Sequence, residues 1–319
     1  MAILLADVGG TNARLALAGP EGIREDSITR FRGDDHAGFD EVVARFLSAR
    51  GSPSIEAVCV AVAGPVSQGR ARLTNRDWHF SEARLRELTG ADRARLINDL
   101  TALGFATPTL AGDREAFVRL PPQGGAGNAQ RLVVNAGTGF NVCAVKVLPE
   151  GGIACLEAEE GHTRLPLSVA HPLAEALAGA ADPAAPAGMA EALAGFDSVE
   201  ELFAGRGLAR LHARLGGGQP MRAEAVVEAA AAGDPAARAS CDLYARLFGL
   251  ICRELALRFM PLEGMFLAGS VARSVTRDLA IFEAAFLSDP LMAQIPQAVP
   301  IAVIRDDMAA LHGCLAAIG

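Results

Sequence analysis

The chain opens on Ile3-Leu-Leu-Ala-Asp-Val-Gly-Gly-Thr-Asn-Ala-Arg-Leu-Ala-Leu-Ala18, two short apolar runs on either side of a polar, glycine-containing turn. Ile3–Ala6 and Ala13–Ala18 predict strands and Asp7–Asn12 the turn between them, so the protein begins with a β-hairpin. The same arrangement returns at Arg131–Val134, Asn135-Ala-Gly-Thr-Gly-Phe-Asn141 and Val142–Val147, a weak internal repeat. Helical spacing at Phe39–Ala49, a buried-strand run at Ala57–Ala63 that stops at Gly64-Pro65, and helical spacing at Glu82–Leu88 alternate in the manner of an α/β sheet. Residues 121–129 have the composition of a connection, and a change of lobe is expected there. The second half carries more helix: an Ala-rich stretch over 170–195 broken at Pro183 and Pro186, and one long helical region over Arg222–Arg258. A strand at Met265–Ala268 meets Gly269-Ser270, and the chain closes with a strand at Pro300–Ile304 and a helix at Met308–Ala317 that can pack back on the first lobe. At 319 residues, two lobes are expected rather than one core.

Composition narrows the function classes. Lys and Arg number 29 against 37 Asp and Glu, a formal net charge of −8 that repels a phosphate backbone, so no nucleic-acid partner is expected. No uninterrupted apolar run reaches the roughly 18 residues of a membrane span. The apolar start has no basic segment ahead of it and meets Asp7 early, which predicts no secretory leader and a cytoplasmic protein. The six cysteines lie far apart with no C-x-x-C pair, giving neither a zinc site nor a disulfide framework and reading as buried free thiols. Lys146 is the sole lysine, so a nucleotide triphosphate would be held without a P-loop lysine.

The two turns carry the chemistry. In Asp7-Val-Gly-Gly-Thr11, Gly9, Gly10 and Thr11 can present successive backbone N–H groups to a polyphosphate, and Asp7 at a strand end is the candidate ligand for Mg²⁺, which keeps most of its waters and takes few protein carboxylates. Read alone, the segment is equally an ordinary hairpin turn in which Asp7 and Asn12 bond their own backbone. Gly137-Thr138-Gly139 is in an equivalent context, with the Thr138 hydroxyl as an added donor. Gly269-Ser270 stands at the C-terminal end of a strand, where open α/β sheets place ligands, although Ala-Gly-Ser by itself is commonly a plain turn. Asp99 follows the apolar pair Leu96-Ile97 and precedes a helical stretch, a position that suits a helix cap as well as a general base. Trp78 reads as core.

Leu5-Ala-Asp-Val-Gly-Gly-Thr-Asn-Ala-Arg14, Thr74-Asn75 with Trp78, Phe80 and Ser81, Ile97-Asn98-Asp99, Ala136-Gly-Thr-Gly139, Glu159-Glu-Gly-His162 and Gly205-x-Gly207 resemble, in order and over nearly the whole chain, the motif series of bacterial glucokinases. The resemblance implies the actin, hexokinase and Hsp70 superfamily: a two-lobed actin-like ATPase (ribonuclease H-like) α/β fold. It implies a smaller α/β lobe of residues 1–110 with 301–319, a larger helix-rich lobe of residues 111–300, and an active site in the cleft between them. It further implies ATP, Mg²⁺ and glucose as ligands, phosphorylation at the sugar 6-hydroxyl, and a homodimer. Position by position, Asp99 takes the role of catalytic base. Asn98, Asp99, Glu159, His162 and Glu200 become sugar ligands, with Thr74 and Asn75 in second rank. Asp7, Gly9, Gly10, Thr11, Gly137, Thr138, Gly139 and Gly269 become the nucleotide side.

Departures fall on that nucleotide side. Gly137-Thr-Gly-Phe-Asn141 stands where the family tends to read Gly-Thr-Gly-Leu-Gly, and Gly269-Ser270 where it tends to read Gly-Gly. Asn tolerates a left-handed conformation, so Asn141 is expected to preserve the turn that way. Two alternatives follow: a sugar-binding regulator with weakened ATP turnover, and a kinase of another hexose from the related ROK group, whose cysteine-rich zinc motif is not found after His162.

Overall fold

The computed structural model describes residues 2–73, 76–122, 127–180, 188–216, 219–276 and 279–319. The second-rank candidates Thr74 and Asn75 lie outside the described residues, as does the expected break at Pro183 and Pro186. The chain divides into two units, residues 1–112 with 306–319, and residues 113–305.

The first unit contains β1 (Ala2–Val8), β2 (Asn12–Gly19), β3 (Gly22–Ile23), β4 (Thr29–Arg32), β5 (Ile55–Val62), β6 (Val66–Ser67), β7 (Arg70–Arg72), β8 (His79–Ser81) and β9 (Arg93–Asn98). Its main sheet runs β3-β2-β1-β5-β9, with β4 also on β2. The opening hairpin forms as expected, Asp7 opposite Arg14, while β1, β5 and β9 are parallel. Leu4, Leu15, Val58 and Val60, all fully buried, pack with Phe46 from the helix Phe39–Ser48. Trp78 is buried against Phe39, as its reading as core expects. The terminal helix Ala309–Ile318 does return to this unit: the Cys314 thiol donates to the Ala6 carbonyl at 3.5 Å, and Arg93 donates to the Ile318 carbonyl at 2.9 Å.

The second unit contains β10 (Phe117–Arg119), β11 (Gln130–Ala136), β12 (Phe140–Val147), β13 (Ile153–Glu157), β14 (Met265–Ala268) and β15 (Ile301–Val303), ordered β10-β15-β14-β11-β12-β13. β11 is antiparallel to β12 and parallel to β14, which is parallel to β15. Strand for strand, β13-β12-β11-β14-β15 repeats the connectivity of β3-β2-β1-β5-β9, so the twice-occurring turn reflects two copies of one ribonuclease H-like sheet. β15 pairs with β14, so residues 301–305, expected with the first lobe, lie with the second unit.

The helical region over Arg222–Arg258 is two helices, Ala223–Ala231 and Pro235–Phe259, not one. Gly233 turns the chain at φ +95°, and the Asp234 carboxylate accepts from the Ala237 N–H at 2.7 Å, capping a helix whose first residue is Pro235. Helix Pro235–Phe259 runs through the core, where Phe203, Phe248, Phe282 and Phe286 form a continuous file of rings about 6 Å apart. None of the six cysteines, all among the described residues, is in a disulfide; four are buried and Cys155 and Cys241 are half-buried. Lys146 is exposed near the far end of β12, its ammonium donating to the Asn128 carbonyl at 2.6 Å. No described helix is long and apolar enough to cross a membrane.

Candidate active site

In the first unit, Asp7 stands at the end of β1 and faces a cavity of about 320 Å³ lined also by Gly9, Thr11, Asn12, Arg14 and Arg30. The Gly9 N–H closes the hairpin turn on the Asn12 carbonyl at 2.9 Å, and the Thr11 carbonyl accepts from Gly33. Arg76, which sequence reasoning did not single out, supports this turn from behind: its guanidinium reaches the Gly10 carbonyl at 3.4 Å, pairs with Asp34 at 2.6 Å and lies over the Trp78 ring. Burial raises the Asp7 carboxyl to about 6; the charge of Asp99 adds to the rise, Arg14 opposes it, and Asp307 adds a little more. Arg14 is itself paired with Asp307 at 3.6 Å, so Asp7 has only part of one cation. A buried, under-compensated carboxylate near a second one suits a hard divalent cation. Among the described residues no group of three or more His, Cys, Asp or Glu gathers that could hold a metal ion.

Asp99 does not cap the helix that follows it. Asn98 is the cap: its backbone is extended, its side-chain oxygen accepts from the N–H groups of Leu100 at 2.9 Å and Thr101 at 3.4 Å, and its amide donates to the Gly64 carbonyl at 3.0 Å. Asp99 is the first helical residue and accepts from Leu100 at 2.8 Å. Burial raises its carboxyl, while the N–H groups of Leu100 and Asp99 itself and the Asn98 side chain pull the other way. The cap is thus Asn98, and the Asp99 carboxylate adds one bond to the first turn. Replacing Asn98 by Ala should therefore cost about 1–2 kcal/mol of stability, and replacing Asp99 by Ala far less, a reversal that a pair of melting curves measures directly.

In the second unit, the β11–β12 turn, the Glu159–His162 loop and Glu200 come together. Glu200, from the helix Val199–Phe203, accepts from the Phe140 N–H at 3.0 Å through one oxygen and from Arg206 at 2.7 Å through the other. Burial pushes its carboxyl up, but Arg206, the Phe140 N–H and the charge of His162 outweigh that and leave it below its ordinary value. Glu159 accepts from the Asn141 amide at 3.2 Å, and Asn141 in turn accepts from the N–H groups of Val142 and Glu160. Asn141 thus does not hold a left-handed turn, as the sequence reading expects; it is a strand residue of β12, and its side chain positions the Glu159–His162 loop. That loop lies so close to β12 that a Cβ on Gly161 would stand 2.1 Å from the Phe140 carbonyl. Glu159 and His162 are exposed, which leaves their polar atoms available to a ligand.

Gly137, Thr138 and Gly269 also converge in this unit. The Gly137 carbonyl accepts from the Gly205 N–H at 2.8 Å. A Cβ on Gly137 would lie 3.7 Å from the Gly269 Cα. Gly269 has φ +93° and ψ +162°, a conformation essentially reserved for glycine, and a Cβ there would sit 2.2 Å from the Ala136 carbonyl oxygen. Gly269→Ala should cost about 2–4 kcal/mol and displace the β11–β12 turn, which thermal melting and nucleotide titration of the same variant both read. A cavity of about 720 Å³ is lined by Thr138, Arg206 and Ser270 together with Met221, Val227 and Tyr244. Tyr244 is fully buried and its hydroxyl has no hydrogen-bond partner among the described residues. This cavity was not legible in the sequence, because its walls come from segments more than a hundred residues apart.

Known proteins agree with this architecture. A glucokinase of Caulobacter sp. (strain K31) is 29% identical over 330 residues, covering 99% of this chain and 94% of its own. A crystal structure of a glucokinase from an Antarctic psychrotroph superposes with a TM-score of 0.81 at 25% identity, covering 99% of this chain and 98% of that one. A ROK-family glucokinase from Streptomyces griseus, solved with glucose and AMPPNP, shares the fold at 19% identity and a TM-score of 0.61, covering 98% of each chain. With the glucokinase family model matching residues 4–318 on top of the doubled sheet and its turns, the chain belongs to the glucokinase family and is an ATP-dependent sugar kinase.

Proposed function

We propose that this enzyme transfers the γ-phosphoryl group of ATP to the 6-hydroxyl of glucose, giving glucose 6-phosphate and ADP, with Asp99 as general base. The observation that carries the reading is the position of Asp99: a carboxylate buried at the start of a helix whose cap is Asn98, with its acidity lowered by burial, holds the first-turn N–H groups of Leu100 and of Asp99 itself and keeps acceptor capacity for a hydroxyl. A kinase acting on a primary alcohol needs such a group to orient the hydroxyl and accept its proton, while the rest of the rate comes from positioning and charge stabilisation. Asn98 and Asp99 from the first unit, and Glu159, His162 and Glu200 from the second, are assigned to the sugar hydroxyls. Their acceptors and the imidazole match several vicinal O–H groups that must exchange water for protein partners.

Gly9, Gly10, Thr11, Gly137, Thr138, Gly139 and Gly269 are assigned to the nucleotide, with the apolar cavity beyond Thr138 taking its base; a concave, mainly apolar space of that size suits a purine. Asp7 would hold Mg²⁺, largely through waters, and the ion would supply charge neutralisation on the phosphates. A homodimer in the cytoplasm completes the proposal, supported by the resemblance to the family. Retention of Asp7, Asp99 and Thr138 argues against the regulator, and the lack of a cysteine-rich zinc motif after His162 in the sequence argues against the ROK-type alternative. Assayed for ADP formation with Mg-ATP across glucose, mannose, fructose, galactose and N-acetylglucosamine, the enzyme should show its highest kcat/KM with glucose. Equal or better turnover of another hexose would remove the glucose assignment, and glucose binding without turnover would favour the regulator.

A further inference from the structure

Arg206 occupies the unspecified middle position of Gly205-x-Gly207, in the first turn of the helix Gly205–Arg214. A cation at a helix N-terminus faces the positive end of the helix dipole, so something other than its own helix must hold it there. Two carboxylates do: its Nη2 donates to Glu200 at 2.7 Å and to Glu201 at 3.1 Å, and its Nε donates to Glu201 at 3.2 Å. Glu201 is itself shared with Arg210 at 2.6 Å. The remaining arm, Nη1, reaches the Thr138 carbonyl at 3.4 Å, inside the turn assigned to phosphate. The adjacent Gly205 N–H donates to the Gly137 carbonyl, which ties the turn to the start of this helix. One guanidinium therefore spans from the phosphate turn to a carboxylate assigned to the sugar, and it also borders the large cavity.

We propose that Arg206 is a positioning residue that couples the two substrates, transmitting the occupancy of the Gly137-Thr138-Gly139 turn to the Glu200 carboxylate. The inference rests on the reading above, in which Glu200 binds the sugar and the turn binds phosphate. Both oxygens of Glu200 are engaged, one by the Phe140 N–H and one by Arg206, so a sugar hydroxyl shares an oxygen already in use or displaces the guanidinium. A phosphate at the turn places new negative charge beside Nη1 and draws the guanidinium toward it. That frees lone pairs on Glu200 for a hydroxyl donor, and nucleotide binding thereby raises sugar affinity; by linkage, sugar raises nucleotide affinity by the same factor. Glu201 keeps Arg206 from leaving altogether.

The test is calorimetric titration of glucose into the full chain with and without saturating Mg²⁺ and a non-hydrolysable ATP analogue. In the unaltered enzyme the analogue should tighten glucose binding about tenfold, within the usual range of coupling between sites. In Arg206→Met the two affinities should agree within about twofold. Arg206→Lys, which keeps one charge but cannot span both partners, should fall between them. A merely structural arginine predicts weaker binding in both titrations with the ratio unchanged. An unchanged ratio in Arg206→Met, or no effect of the analogue on the unaltered enzyme, would overturn the proposal while leaving the site assignment intact. Glu200→Gln separates the two levels: it should weaken glucose binding at least tenfold, and glucose affinity equal to that of the unaltered enzyme would bring down the assignment of Glu200 itself.

Discussion

Replacing Asp99 by Asn should lower kcat by roughly 10²- to 10⁴-fold, the usual range for losing general acid–base help, while glucose affinity stays within about an order of magnitude. The substitution keeps the size of the side chain and an oxygen that can accept from the Leu100 N–H, but removes the atom pair that takes the proton of the reacting hydroxyl. Folding should be unharmed. The cap is Asn98, and loss of a buried charge near Asp7 relieves repulsion rather than creating a void. The decisive measurement is kcat, glucose affinity and melting temperature on one preparation. An Asn variant with near-normal kcat would take Asp99 out of the mechanism, and one with a collapsed melting temperature would return it to a structural role.

Asp7→Asn should divide activity from stability in opposite directions. Its folded carboxyl titrates at about 6 against 3.8 for the free side chain, so the folded state holds the proton more tightly than the unfolded state does. The sign follows from linkage: the Asp7 contribution to stability is most favourable below about pH 3.8, falls as pH rises from there through 6, and above that the full cost of a buried carboxylate is present. Asn carries no such cost. In metal-free buffer at pH 8 the variant should be more stable by about 1–3 kcal/mol, seen as a rise of several degrees in Tm, and the gain should vanish near pH 4. Activity should fall at least 10²-fold, with the remaining rate much less responsive to Mg²⁺, since the carboxylate assigned to the ion is gone. A variant equally active at low Mg²⁺ would show that Asp7 does not serve the metal.

Much of the fold was readable because it is written in local patterns. The alternation of apolar runs with Gly-containing turns at Asp7–Asn12 and Asn135–Asn141 placed both hairpins, and their recurrence announced the doubled sheet. What could not be read depends on choices between neighbours. Asn98 and Asp99 are both good caps, and only the extended backbone of Asn98 and its amide contact with Gly64 decide between them. The break at Gly233-Asp234 was hidden by helix-favouring residues on both sides; a positive φ and a capping carboxylate overrode them. Asn141 was read as a substitute for glycine, yet its strand position gives its side chain the separate task of holding Glu159. Arg206 stood at a position the motif leaves blank, and its partners lie before it in the chain at Thr138, Glu200 and Glu201, so no local pattern marks it. The candidate site residues were nominated by type and order, whereas the hydrogen bonds around them became visible only in three dimensions.

The solitary lysine also makes the protein unusually convenient to instrument. Lys146 is exposed on β12, six residues and hence about 20 Å along the strand from Phe140, where the strand leaves the turn. Amine-directed chemistry has only one ε-amine to find, besides the chain's own terminal amine. A fluorophore or spin label attached there would share a rigid sheet with the phosphate turn without occupying it, giving a defined optical or magnetic reference point obtained with no engineered cysteine and no disturbance of the six native thiols.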